Sequence, residues 1–473
     1  MNQAEPLNER DRARLLAAIC MGAFLSHFTA GVVNVSLPRF MSLFDASLSS
    51  VQWITTGYLL ALAVLLPIMG KLGDRYGQGR IHNAGYMLFT ISSAAAALSP
   101  DLTILLTMRV AQAAGAAMFQ ATNMALVVRY APPNRKGKAL GAVSSAVALG
   151  AMTGPVAGGF IADGLGWQWL FFSHVPFAAA ATWLAYRYVP ARPTESVKSS
   201  LNAVGGGLMA AVICAFIFVI ASGQTLGWTS GAIVAALLAG SLALIVLVLR
   251  EKRHPHPFLP LEALRQRIVS VGLLASVGSF ALANTMLAVM PFFLMGYAGR
   301  SSAEAGLMML AYPAMLALFG PAAGRLSDRI GARAPMLFGF GAMAVGTAFL
   351  ALFLASMPVG WLAVGMGLTG LGMGLIAAPN NSFILRHAPA QQSGATGGLI
   401  ALSRNAGLVI GSALGLGMIG AGASAEMLPP NAIRGALAFA AAIGVGCGLL
   451  LLGVRTKRAE PERGGRESSR RVS

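Results

Sequence analysis

The sequence predicts an all-α polytopic membrane protein of fourteen transmembrane helices: two six-helix bundles plus two inserted helices. Three observations predict it. The 473 residues are 56% hydrophobic and only 11% charged, where soluble domains carry about a quarter charged residues. Apolar runs of about 20 residues, long enough to cross a bilayer, recur from one end of the chain to the other. The pattern Gly-x-Leu-x-Asp-Arg-x-Gly occurs twice, at residues 70–77 and 324–331, each time as a compact charged turn between two apolar runs.

In order, the spans run at about 15–36, 51–70, 82–99, 102–128, 138–162, 168–188, 202–222, 230–249, 268–294, 303–323, 334–356, 360–385, 394–418 and 432–453. Each lies between charged or Pro/Gly-rich breaks. Ahead of the first span, residues 1–14 are polar and carry Arg10, Arg12 and Arg14. No small-residue cleavage site follows, so an uncleaved first helix is expected rather than a signal peptide. The two charged turns follow spans 2 and 10, so the repeat units are spans 1–6 and 9–14. Five segments result: a cytoplasmic N-terminus (1–14), an N-terminal bundle (15–188), an inserted pair with its loops (189–267), a C-terminal bundle (268–453) and a disordered Arg-rich tail (454–473). A parallel duplication of six-helix units, with substrate held between the halves near the midplane, is a transporter architecture. Glycine, at 57 of 473 residues, exceeds the usual ~7% and lets membrane helices pack closely.

Lys and Arg set the orientation. Loops after even-numbered spans are basic, among them Lys71, Arg75 and Arg80, then Arg129, Arg135, Lys136 and Lys138, then Arg325, Arg329 and Arg333. Loops after odd spans hold little: Arg39 with Asp45, Asp101, Asp163, and Arg300. The even loops and both termini are therefore expected in the cytoplasm, with the chain in a bacterial plasma or inner membrane. The formal charge of +18 sits beside apolar runs, which makes it a topology signal and not a nucleic-acid footprint. Cys20, Cys214 and Cys447 all lie inside apolar runs, against a disulfide framework or a metal site. No Walker sequence is present, so ATP is not the driver. No nucleophile motif or His-rich cluster points to an enzyme, and no cofactor is expected. The expected partners are a small-molecule substrate, the lipid bilayer and protons, with the chain a monomer.

The motifs resemble those of the major facilitator superfamily, and within it the fourteen-helix drug:proton antiporter branch. Residues 70–80 look like the family's loop motif after helix 2, with Gln78 and Gly79 where basic residues are usual. Residues 109–115 resemble the Arg-x-x-Gln-Gly-x-Gly motif of helix 4, with Ala113 for the first Gly. Gly150, Gly154, Pro155, Gly158 and Gly159 are similar to the helix 5 motif associated with exporters. Trp53 with Tyr58, the run 167–176, and Gly227-Trp228-Thr229 fit signatures of the branch. The resemblance covers nearly the whole chain. It implies that Gly70, Asp74, Arg75, Gly77 and Arg80, with Gly324, Asp328 and Arg329, form a cytoplasmic latch that stabilises the outward-facing state. A plain topogenic basic loop would explain the charges but not the repeated Asp. The helix 5 glycines allow backbone contact and Pro155 interrupts the hydrogen-bond ladder; generic tight packing is the simpler alternative.

Candidate cavity residues are polar or aromatic groups within spans: His27, Asn34, Trp53, Tyr58, Arg109, Gln112, Gln120, Asn123, His174, Asn380, Asn381 and Arg404. Arg109 falls about 10 Å below the periplasmic end and Arg404 about 15 Å into span 13, at 1.5 Å per residue. A guanidinium at such depth faces a cavity or a partner, or else serves as a hydrogen-bond hub to helix carbonyls. The branch normally places an Asp in helix 1, five residues before the Asn that here is Asn34; the matching position is Thr29. None of the 16 acids lies in the middle of a span. Electrostatics alone therefore favour an anionic or neutral amphipathic substrate over a lipophilic cation. His27 is the leading proton-coupling candidate and Asp163 the reserve. The expected function is secondary active export of a small amphipathic compound by alternating access. A metabolite facilitator without proton coupling is the alternative.

Overall fold

The computed structural model describes residues 8–131, 136–190, 203–253, 261–388, 393–419 and 430–454, and within them all regular structure is helical. Fourteen elements run the length of the bundle. The N-terminal half holds α1 (Glu9–Leu43), α2 (Trp53–Tyr76), α3 (Gln78–Ala97), α4 (Leu102–Tyr130), α5 (Lys136–Gly164) and α6 (Gln168–Phe172 continued by His174–Tyr188). Between the halves come α7 (Ala203–Leu226) and α8 (Gly231–Glu251). The C-terminal half holds α9 (Arg267–Pro291, ending in the π-helical turn Phe292–Tyr297), α10 (Ser302–Met309 continued by Ala311–Ile330), α11 (Arg333–Phe353), α12 (Leu362–His387), α13 (Ser393–Ile419) and α14 (Pro430–Leu452). Among the described residues eleven helices are long and apolar enough to cross a membrane. The other three are the more polar α3, the interrupted α6, and α5. The tail beyond residue 454 lies outside the described residues.

Helices overrun the apolar runs that announced them, because backbone hydrogen bonding continues wherever the ends can be capped. The first helix begins at Glu9, ahead of its apolar run, since the Asn8 side chain accepts from the Asp11 N–H at 2.7 Å. Neither copy of the charged motif is a loop. Residues up to Tyr76 continue α2 and residues up to Ile330 continue α10; each helix ends on the motif's last glycine, Gly77 at φ 100° and Gly331 at φ 87°. Only a residue without Cβ enters that region freely. Both glycine N–H groups donate back into their helix, to the Gly73 and Ser327 carbonyls. The two corners are structural copies of one another.

The duplication extends to a feature hidden in the pattern of glycines. On α5, a Cβ at Gly150 would sit 2.3 Å from the Phe24 carbonyl oxygen of α1, at Gly154 2.8 Å from that of Phe28, and at Gly158 2.6 Å from that of Val32. On α13, Gly407, Gly411 and Gly415 stand in the same way against the Val277, Ala281 and Thr285 carbonyls of α9, at 2.5, 2.2 and 3.1 Å. Both seams step four residues at a time on both helices, as the helical repeat requires. Two backbone-to-backbone seams, one per half, thus clamp α1 to α5 and α9 to α13. The second seam gains side-chain bonds from Asn284 Nδ2 to the Leu408 carbonyl at 2.6 Å and from Thr285 Oγ1 to that of Gly411 at 3.0 Å.

The halves meet mainly at one end, and α13 also packs along α2, where Val409 joins the N-terminal core. One apolar cluster contains the distal part of α1 (Val32 to Met41), the start of α2 (Val51, Ile54) and α6 residues Leu170 and Phe171, together with Met286, Val289, Phe292 and Met309 of the other half. At the end that carries the basic corners the cores are separate. Leu15, Ile19, Leu66, Tyr86 and Leu126 belong to one, whereas Val269, Leu273, Ile384 and Leu399 belong to another. The bundle is therefore sealed at the end opposite the basic corners and parted at the basic end. The inserted α7 packs against both α2 and α13, the pair joined by the inter-half hydrogen bond from Thr56 to Ser412 at 2.9 Å, and α8 packs on α7. Leu238, Leu242 and Ile245 of α8 face outward.

Candidate functional site: the inter-half gap and its seal

The seal is built by α5 and α10. A Cβ on Gly159 would lie 2.2 Å from the Ser302 carbonyl oxygen, and one on Gly306 2.4 Å from that of Pro155. Gly158 and Gly159 thus face opposite partners: the first belongs to the seam within the half, the second to the seal between halves. The Pro155 ring lies on the other side, against Gly31 of α1, where an added Cβ would sit 2.7 Å from its Cδ. Asp163, at the end of α5, completes the contact. Its Oδ2 accepts the Ala303 N–H of α10 at 2.9 Å and its Oδ1 accepts from Arg39 Nη1 of α1 at 3.4 Å. A carboxylate at a helix N-terminus is stabilised by the orphan N–H groups and the helix dipole. The first turn of α10 also carries its own capping box, Ser301 with Glu304.

Both charged corners stand at the basic end. Asp74 and Arg75 are exposed; Asp74 accepts from Gln78 Nε2 at 3.3 Å, and the Arg75 guanidinium lies 5.4 Å from the Tyr76 ring centre. Arg80, Arg325 and Arg329 are exposed as well, and the side chain of Asp328 lies outside the description. Gly70 and Gly324 occupy matching half-buried positions near the ends of α2 and α10. The departure at Gly79 has a steric cause: a Cβ there would sit 2.0 Å from the Pro190 carbonyl oxygen, where α3 begins against the end of α6.

Arg109 is placed inside the N-terminal half and is 1% exposed. Its Nε donates to the Ile54 carbonyl at 3.0 Å, and its Nη1 donates to Gln112 Oε1 and, at 3.4 Å, to Thr29 Oγ1. Gln112 passes the network to Ser93 Oγ at 2.7 Å. The guanidinium lies 4.1 Å from the centre of the Tyr58 ring and 5.8 Å from that of Phe171, so ring faces supply part of the missing negative charge. Thr29 stands where the branch carries its Asp, and the residue it meets is Arg109. Among the described residues Arg109 Nη2 and the Tyr58 hydroxyl have no partner. His174 is fully buried among Phe28, Phe89 and Phe171, with Nδ1 donating to the Phe171 carbonyl at 3.1 Å. Arg109, Gln112, Tyr58 and His174 thus form one enclosed cluster.

The remaining candidates are placed apart from it. His27 is half-buried near the middle of α1, and its Nδ1 lies 3.0 Å from the Ala23 carbonyl. Ser26 Oγ also lies 3.0 Å from Nδ1 and itself bonds the Ala23 carbonyl; in the tautomer that donates Nδ1–H to that carbonyl, Nε2 keeps its lone pair. Asn34 is buried two turns further on, with its Oδ1 unpartnered. Gln120 is half-buried and Asn123 buried on α4; Asn123 Oδ1 has no partner. Trp53 opens α2 at the sealed end. Asn380 joins helices, donating to the Gly272 carbonyl at 3.0 Å, whereas Asn381 is exposed. Arg404 is half-buried on α13, within electrostatic reach of His27 across the gap. Among the described residues nothing accepts a hydrogen bond from it. The 150–158 seam was legible in the sequence, but its partner at Gly407, Gly411 and Gly415 was missed, although its four-residue glycine spacing is the same signal.

The sequence pattern of the Major Facilitator Superfamily matches residues 19–204 and 272–472. The chain belongs to the major facilitator superfamily. The matched residues pass over 205–271, where most of α7 and all of α8 lie. This member is 32% identical over 402 residues to the riboflavin transporter RibZ of Clostridioides difficile strain 630, covering 84% of this chain and 86% of that one. It is 30% identical over 422 residues to the multidrug resistance protein Stp of Mycobacterium tuberculosis strain CDC 1551 / Oshkosh, covering 89% of this chain and 78% of that one. Its fold matches that of the peptide transporter POT in complex with sulfate at a TM-score of 0.67 and 18% identity, covering 92% and 93% of the two chains. The resemblance to the superfamily's drug-efflux branch holds, and the chain is a multi-pass membrane transporter and not an enzyme.

Proposed function

We propose that this transporter is a proton-linked exporter of small amphipathic compounds, anionic or neutral ones favoured, that works by alternating access. The basic corners and both termini then face the cytoplasm of a bacterial cell, in keeping with the bias of Lys and Arg, and the parted end is the cytoplasmic mouth. The observation that carries the reading is the seal: the exporter-type run of α5 lies in direct backbone contact with α10, where the halves must separate for the outer face to open. Asp74, Arg75 and Arg329 are exposed at the opposite mouth, where they can engage when that end closes. His27 is the leading proton carrier, and Asp163 at the seal is the reserve. Arg109 and Gln112 support the N-terminal half from within and present Thr29 and Tyr58 toward the same network.

The test is uptake into proteoliposomes of anionic, neutral and cationic amphiphiles, with and without a pH gradient acidic inside. Gradient-driven uptake of anionic or neutral probes supports the reading. A quaternary-ammonium compound as the best substrate overturns the electrostatic part. A second reading, a metabolite facilitator without proton coupling, is favoured by the absence of any acid in mid-span and by the likeness to a riboflavin transporter. It requires equal flux with and without the gradient.

A further inference from the structure

We infer that Arg404 of α13, facing His27 of α1 across the gap, is the anion-binding group of the substrate site. It takes the carboxylate head of an amphipathic ligand that also carries a neighbouring O–H or N–H donor. This rests on the reading that the gap is the substrate's path.

Arg404 is a mid-helix guanidinium with no hydrogen bond or ion pair among the described residues, and no acid occupies the middle of any described helix. A guanidinium at that depth ordinarily pairs with an acid or a carbonyl, or faces a watery cavity. At about 100° per residue, Arg404 lies within roughly 20° of Gly411 and Gly415 around α13. Those glycines face α9, so the side chain points inward and not to lipid. His27 stands about 160° around α1 from Thr29, whose hydroxyl meets Arg109 inside the N-terminal half; it therefore looks away from that enclosed cluster. The two groups come from opposite halves and interact electrostatically. Arg109, the other deep cation, already has three acceptors and two ring faces, whereas Arg404 has none. Its planar fork fits a carboxylate with two parallel bonds. His27, in the tautomer protonated on Nδ1, offers Nε2 as an acceptor beside that fork, which is why a ligand donor next to the anion fits the pair.

The experiment measures fluorescence binding of 3-hydroxy-2-naphthoate, and of its uncharged amide, to the intact protein in phosphatidylcholine nanodiscs. Arg404→Gln should weaken the anion by at least about tenfold, as loss of a charge-assisted bond implies, and change the amide by less than about twofold. His27→Asp supplies an internal carboxylate opposite Arg404. It should weaken the anion to a similar extent with the amide retained, and it decides the matter if Arg404→Gln does not fold. Undiminished anion binding in a folded variant overturns the proposal, and so does a parallel loss of both probes in His27→Asp. Adding phosphatidylglycerol should leave binding unchanged; competitive loss would assign Arg404 to lipid headgroups and overturn the proposal. Gradient-driven flux of the amide tests the transport reading separately. Flux with Arg404-independent anion binding removes this site and leaves the exporter, and Arg404-dependent binding without flux does the converse.

Discussion

A valine at Gly159 should change which state the transporter occupies, whereas a valine at its neighbour Gly158 should cost fold stability. At 159 the new Cβ would lie 2.2 Å from the Ser302 carbonyl oxygen and at 158 it would lie 2.6 Å from that of Val32. Each clash forces the backbones apart by on the order of 1 Å, and overpacking of that kind costs about 1–3 kcal/mol. Ser302 is on the other half, so the penalty at 159 falls only on the sealed state. The equilibrium should shift away from it by about 5- to 150-fold. Val32 is on the same half and stays against Gly158 in every state, so the penalty there falls on the folded protein. The assay is the spin-label distance between cysteines at Leu165 and Arg300, both exposed at the sealed end, with Cys20, Cys214 and Cys447 replaced. Gly159→Val should populate a longer distance at near-native thermal stability. Gly158→Val should keep the short distance and melt several degrees lower. Identical distances in all three proteins, or equal loss of stability in both variants, would refute the assignment of the two glycines to separate interfaces.

Further outcomes follow from the same geometry. Thr29→Asp places a carboxylate beside Arg109 Nη1, now 3.4 Å from the Thr29 hydroxyl, and should raise the melting temperature. The double variant Thr29→Asp with Arg109→Gln should melt below Arg109→Gln alone, because an unpaired buried carboxylate is left behind. Gly411→Val should reduce folded yield much as Gly154→Val does, since both open a backbone seam of matching geometry; normal yield and melting for Gly411→Val would count against the second seam. Gly79→Arg, which restores the residue type usual in the family, should lower stability by about 1–3 kcal/mol through its clash with Pro190, whereas Gln78→Arg should be tolerated in the same thermal assay. Asp163→Ala removes the carboxylate that joins Arg39 to the Ala303 N–H and should lengthen the Leu165–Arg300 distance; an unchanged distance would show that the backbone contact alone maintains the seal.

Much of the fold was legible because bilayer crossing and duplication write themselves into the chain. An apolar run has one physical use at that length, and the paired Gly-x-Leu-x-Asp-Arg-x-Gly returns as paired helix ends at Gly77 and Gly331 with positive φ. The helix 5 glycines were readable as a close-packing surface. Which of them faces which helix was not, since neighbours 158 and 159 differ by only one residue in sequence but by about 100° around the axis. The deep arginines show the same limit. Both Arg109 and Arg404 read as cations in apolar spans, and nothing local distinguishes one enclosed by Ile54, Thr29, Gln112 and Tyr58 from one left without an acceptor.

What the sequence determined by itself is therefore class, halves and polarity: helices that must satisfy their backbones internally, a repeat that must form two similar bundles, and basic loops gathered at one end. It also showed that the helix 1 acid is replaced by Thr29 and that no other acid takes its depth. Only the tertiary structure decided where the halves touch, that Gly159 and Gly306 with Asp163 close one end, and that Arg109 is enclosed by acceptors whereas Arg404 has none among the described residues. The physical reason is that burial and helix periodicity are local properties of a chain, whereas the partner of a buried charge is chosen by contacts between segments hundreds of residues apart.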